Sequence, residues 1–110
     1  MQAVRDGTRW MVRLDDGEDL LGSLTEFARR EDLRAAAILS GIGMIRRATL
    51  GYWDGSQYRP QELTVPHEVV GLHGSIARSE GAPSIHLHIC LLYTSPSPRD
   101  PKTSRMPSSA

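Results

Sequence analysis

Ser84-Ile85-His86-Leu87-His88-Ile89-Cys90-Leu91-Leu92 decides the fold, because from Ile85 to Leu91 every second residue is a branched aliphatic. A period of two marks a half-buried strand, so Ile85, Leu87, Ile89 and Leu91 face a core while His86, His88 and Cys90 face the other way. Upstream, Pro66 introduces a second strand, Glu68 to Ile76. Val70, Leu72 and Ile76 share one of its faces, and Val69, Gly71, His73 and Ser75 share the other. The polar segment Arg78 to Pro83 joins the two strands as a loop. A hairpin register that pairs His73 with His88 and Ser75 with His86 keeps Leu72 and Leu87 on the core side.

Further upstream, Arg46 to Trp53 alternates again, with Ala48, Leu50 and Tyr52 on one side and Arg47, Thr49, Gly51 and Trp53 on the other. Asp54-Gly55-Ser56 tolerates positive φ and reverses this strand into Tyr58 and Arg59 as a hairpin. Pro60 lacks an N–H and limits the returning strand to an edge. Trp10 to Leu14 reads as an early strand with Trp10, Val12 and Leu14 inward. Asp15-Asp16-Gly17 then turns the chain, and Asp15 or Asp16 caps a helix that starts near Glu18. Leu20, Leu21, Leu24, Phe27 and Ala28 form one stripe of that helix, suited to packing on a sheet. Ala35 to Leu39 is a short apolar run that ends in a tight turn at Ser40-Gly41-Ile42-Gly43.

These elements make one small α/β (α+β) domain, for which a length of 110 residues is suited to a single core. Hydrophobic residues at 39% and charged residues at 24% place the chain outside the disordered class. No apolar run approaches the roughly 18 residues that span a bilayer, and the N-terminus lacks the layout of a secretory signal, so no membrane partner and a cytoplasmic location are expected. Cys90, the single cysteine, has no partner for an intrachain disulfide and reads as a buried thiol. Residues 1 to 92 hold 10 Arg and 12 acidic groups, 10 − 12 = −2, and the other 18 residues carry 3 − 1 = +2. A mildly acidic domain lacks the general attraction for nucleic acid, so DNA contact rests on local clusters: Arg29, Arg30 and Arg34, or Arg46 and Arg47. A solvated helix face is the plainer account of the first cluster.

The domain reads as residues 1–92. From residue 93 to 110 periodicity is lost and four of the seven prolines crowd together, which suits a disordered tail. Ser95-Pro96-Ser97-Pro98-Arg99-Asp100 and the final Ser104-Arg105-Met106-Pro107-Ser108-Ser109-Ala110 look like translated adapter sequence, foreign to a C-terminally truncated domain.

Gly17-Glu18-Asp19-Leu20-Leu21, Leu39-Ser40-Gly41-Ile42-Gly43, Ala48-Thr49-Leu50-Gly51-Tyr52, Gly74-Ser75-Ile76 and His86-Leu87-His88 together resemble, in order and spacing, the plants-and-prokaryotes-conserved (PPC) domain family. The resemblance covers roughly residues 8 to 91. It implies a mostly antiparallel sheet with one main helix on one face, a homotrimer, and a DNA-binding, transcription-associated role in a prokaryote. The Arg-Gly-Arg-Pro hook of plant members does not occur here. The Gly-Gly-His stretch that ends prokaryotic members is also missing, its place taken by the tail.

The most chemical residues are the histidines. On a strand, His86 and His88 point to the same face about 6.6 Å apart, close enough to chelate a divalent metal such as zinc, and the hairpin register adds His73. The plainer reading is a set of metal-free polar residues in a subunit interface. His67, beside Pro66 in a presumed turn, is expected in solvent. Catalytic constellations are thin, which favours a non-enzyme. Ser40 lacks the preceding glycine of a nucleophile elbow, and Gly41-Ile42-Gly43 lacks the third glycine of a dinucleotide fingerprint. Beside DNA association stand two alternatives: a metal- or small-molecule-binding trimer using the histidine face, and a protein-interaction module.

Overall fold

The computed structural model describes residues 1–92 and, as backbone, residues 102–106. The chain runs β1 (Gln2–Asp6), β2 (Arg9–Arg13), α1 (Leu20–Arg30), β3 (Ala36–Ile38), β4 (Gly43–Ile45), β5 (Ala48–Trp53), β6 (Tyr58–Leu63), β7 (His67–Ser79), β8 (Ala82–Leu92) and β9 (Lys102–Met106). β1 and β2 form a separate two-stranded ribbon. The other strands build an antiparallel seven-stranded sheet in the order β3-β7-β8-β9-β5-β6, with β4 also paired to β7.

The core lies between α1 and one face of this sheet. Leu21, Leu24 and Ala28 of the helix meet Leu50, Leu63, Val69, Ile76, Ile85, Leu87, Ile89 and Leu91, all buried. The two periodicities read from the sequence therefore meet where expected. Phe27, on the same apolar stripe and also buried, meets the Trp10 ring edge to face at 5.0 Å, which ties the β1-β2 ribbon to the helix. Arg5 lies over the Trp10 ring and Arg30 over the Phe27 ring, in cation–π geometry.

Local chemistry places the ends of the elements. The helix cap is Asp19, not Asp15 or Asp16: its carboxylate accepts from the Gly22 N–H at 2.7 Å, and α1 starts at Leu20 rather than near Glu18. Asp15 and Glu18 instead bind the Met1 ammonium, at 3.1 and 2.5 Å. The β7–β8 connection is also tighter than the expected Arg78 to Pro83 loop. Ser79 pairs with Ala82, leaving Glu80 and Gly81, both at positive φ as a primed two-residue turn requires. Arg78 ties this hairpin to the end of α1 by donating to Asp32 and to the Leu33 carbonyl.

Three further differences follow from sheet geometry. A β-bulge between Val69 and Gly71 shifts the phase of β7, so Val69 is buried and Val70 is exposed, the reverse of simple alternation. β1 and β4 are strands where the sequence led to none; each is short, and pairing supplies what their residues do not signal. His67 is buried, with Nδ1 2.8 Å from the Val65 carbonyl oxygen, instead of lying in solvent.

The expected unstructured, foreign tail falls outside the described residues at 93–101 and 107–110. Within it, Lys102–Met106 forms β9 between β8 and β5. This pentapeptide is free of proline between Pro101 and Pro107, so each of its residues carries the N–H that a ladder needs.

Candidate functional site

Because α1 covers only one face of the sheet, the opposite face carries no helix among the described residues, and register shows which residues lie along it. One line of paired residues crosses five strands: His73, His88, Arg105, Gly51 and Pro60. Ser75 pairs with His86, and Gly71 with Cys90, in the flanking lines. Leu72, Leu87 and Ile89 occupy the other face, as the hairpin register predicts.

His73 and His88 come together. Their rings stack with centroids 5.4 Å apart and planes 16° from parallel. His86 lies two residues along β8 on the same face, half-buried, and Cys90 follows it, also half-buried. Stacked rings aim their nitrogen lone pairs side by side rather than at a common point. Among the described residues no group of three or more His, Cys, Asp or Glu side chains is placed to hold a metal ion. The chain's own side chains thus offer a two-imidazole pair, short of the four donors of a zinc site.

The arginine candidates separate. Arg46 makes a two-pronged pair with Asp16, Nε to Oδ1 at 2.8 Å and Nη2 to Oδ2 at 2.5 Å. The pair lowers the Asp16 pKa and raises that of Arg46. Arg47, next along the chain, is exposed and has no ion pair among the described residues. It lines an open pocket with Ala48, Thr49, Glu62, Leu63 and Thr64. In the other cluster, Arg29 pairs with Glu26 and Arg30 with Glu31, as on a solvated helix face.

Sequence reasoning missed the aromatic end of the β5–β6 hairpin. Trp53 pairs with Tyr58 across it, both exposed on the helix-free face. Asp54 organises the turn between them, accepting from the Ser56 and Gln57 N–H groups, each at 2.8 Å, and from Arg59. The Arg59 guanidinium, then those two backbone donors, hold the Asp54 carboxyl far below the usual aspartate range. The available signal was Trp53 and Tyr58 flanking Asp54-Gly55-Ser56, on the same side of the alternation as Arg47.

Large apolar side chains are exposed elsewhere as well. Leu39, Ile42 and Met44, around the β3–β4 connection, are 82%, 85% and 67% exposed. No helix among the described residues is long and apolar enough to cross a membrane.

Comparison with known proteins places the architecture. The family model of the Plants and Prokaryotes Conserved (PCC) domain matches residues 1–95. A solved protein from Ralstonia eutropha JMP134, described as a candidate DNA-binding protein, is 28% identical, with a TM-score of 0.80 over 94% of this chain and 70% of that one. A metal-containing protein of Archaeoglobus fulgidus is 30% identical, with a TM-score of 0.69 over 86% of this chain and 69% of that one. Among curated proteins, Bifunctional protein GlmU of Synechococcus sp. (strain JA-3-3Ab) is 34% identical over 80 residues, 73% of this chain. The chain spans only 12% of that relative's length.

Proposed function

Because the chain belongs to the Plants and Prokaryotes Conserved domain family, we propose that it is a DNA-associated, transcription-linked protein of the cytoplasm, that it works as a homotrimer, and that Arg47 faces phosphate. The observation that carries the DNA reading is the 28% identity, along 94% of this chain, to the Ralstonia protein described as a candidate for DNA binding. Arg47 supports it as an exposed cation outside any described ion pair, whereas Asp16 already neutralises Arg46. Self-association is supported by Leu39, Ile42 and Met44, whose apolar surface gains free energy when a second copy covers it.

The domain carries little net attraction for a polyanion, so its affinity for duplex DNA should be weak and set by few phosphates. Fluorescence anisotropy with a labelled duplex tests this across a salt series. Each phosphate neutralised contributes about −0.9 to the slope of log K against log salt. Arg47→Ala should flatten that slope, and Arg46→Ala should change it less. Loss of all binding even at low salt, or a slope indifferent to Arg47→Ala, would overturn the reading. Light scattering on the same samples reports whether three copies assemble.

A second reading, divalent-metal binding on the histidine face, is favoured by the His73–His88 pair and supported by the likeness to the metal-containing Archaeoglobus protein. His73 and His88 would hold the ion. His86 or Cys90 after a rotamer change, or donors from another copy, would complete the shell, and the ion would cross-link β7 and β8. Elemental analysis of the full chain decides: zinc retained by the parent and lost by His88→Ala supports it, and metal-free protein after zinc loading sinks it.

A further inference from the structure

β1 and β2 pair from Gln2 opposite Arg13 to Asp6 opposite Arg9, with Gly7 and Thr8 as the two-residue turn between them. Residues opposite each other in an antiparallel pair share a face. Ala3, Arg5, Trp10 and Val12 therefore form one face of the ribbon, and Gln2, Val4, Asp6, Arg9, Met11 and Arg13 form the other. Trp10 meets Phe27 of α1, which sets the first face toward the helix and the second outward. Burial agrees, since Ala3, Trp10 and Val12 are half-buried and all six residues of the second face are exposed, Val4 at 68% and Met11 at 75%. Arg5 is occupied on the inner face, where it lies over the Trp10 ring and donates from Nε to the Gly7 carbonyl at 2.8 Å.

The ribbon is the basic part of an acidic domain. Residues 2 to 13 hold three Arg and one Asp, 3 − 1 = +2, whereas residues 14 to 92 hold seven Arg and eleven acidic groups, 7 − 11 = −4. Positive charge gathered in one place attracts a polyanion even where the net charge of the domain does not. Arg9 and Arg13 carry it on the outer face. Arg9 stands opposite Asp6 with no ion pair between them among the described residues, and Arg13 reaches Asp15 only at 3.8 Å, with both side chains more than half exposed. An exposed pair of that kind contributes little and leaves the guanidinium open to a phosphate. The two arginines flank Met11 at four residues' separation, about 13 Å at the usual strand rise, which matches a major groove about 12 Å wide. Val4 and Met11 lie between them as a small apolar centre, of the kind that meets thymine methyl groups, and two such side chains are too few for a protein interface of about 800 Å² per partner. We propose that the outer face of the β1-β2 ribbon docks on duplex DNA across the major groove, with Arg9 and Arg13 each against a phosphate and the Val4–Met11 pair over the base edges. This site rests on the DNA reading and adds to the contact of Arg47.

Anisotropy titration of a labelled duplex with the full chain, across a salt series, tests the site. The double variant Arg9→Gln with Arg13→Gln should make the slope of log K against log salt shallower by about 1.8, two phosphates at about 0.9 each. Replacing both by Lys keeps the charge and should keep most of that slope. Asp6→Asn removes the one anion of the face and should tighten binding, while Met11→Glu puts a carboxylate at its centre and should weaken it. Circular dichroism confirms that each variant is folded. A parent that binds the duplex with a slope indifferent to the double Gln variant would overturn the ribbon site and leave the DNA reading standing, whereas a parent that binds no duplex at low salt would overturn both. Light scattering without DNA supplies a further arm: a change of assembly state in Met11→Glu would assign the face to another copy of the chain and overturn the proposal.

Discussion

At Gly74 the backbone of β8 leaves no room for a side chain: a Cβ there would overlap the His86 carbonyl oxygen. No side chain, however small, fits without parting the strands. Gly74→Ala should therefore cost roughly 3 kcal/mol as an overpacked site and lower Tm by more than about 10 °C in a domain of this size. Thermal melting checks the cost, and an unchanged Tm would show that the strands separate freely. Since His73 adjoins Gly74 and His88 lies two residues from His86, the same variant should spread the stacked imidazoles. At this scale the sequence was informative where a side chain's role followed from its neighbours in the chain. The inward residues of β8 were legible from alternation alone, and the His73–His88 register followed from hairpin logic. His67 was not legible, because its burial depends on packing that no local pattern encodes. Val70 was misread because one bulged residue inverts every face assignment on its N-terminal side.

Among the elements, the β5–β6 hairpin shows how a turn can set the stability of a surface. Asp54 has its pKa depressed in the folded state, chiefly by Arg59 and then by the Gln57 and Ser56 N–H groups. A depressed carboxyl contributes stability that is present in full above the unfolded value, near 3.8, and lost as pH falls through the lower folded value. Acid below about pH 4 should therefore loosen this hairpin, with the exposed Trp53 as reporter. Fluorescence of the parent should change across that window, whereas Asp54→Asn should start loosened and respond less. An equal acid response in both would remove Asp54 from the account. The hairpin was readable in advance, since Pro60 marks β6 as the edge strand it is. What the sequence withheld was the meaning of its outer face. Trp53 and Tyr58 could have packed under a second layer, and only the single-sided placement of α1 leaves them in water.

For the molecule as a whole, the order of strands matters more than any one of them. β9 stands between β8 and β5, although forty-eight residues, 54 to 101, separate it in sequence from the end of β5. Composition suggested no role for this segment, because pairing partners far away in the chain leave no local trace. A chain ending at Leu92 should expose two unpaired edges, melt at lower temperature and associate through those edges. Calorimetry and light scattering on residues 1–92 test this, and an unchanged Tm would show β9 to be dispensable. The same arrangement bears on biosynthesis. As the polypeptide emerges, β5 with β6 and β7 with β8 can each form in turn, yet the sheet that joins them waits for a strand made after both. Without β9 the described elements are two hairpins that meet only through the apolar core beneath α1. Closing the sheet therefore has to follow synthesis of this late segment, and a chain that has not yet made it carries two strand edges open to pairing with other chains.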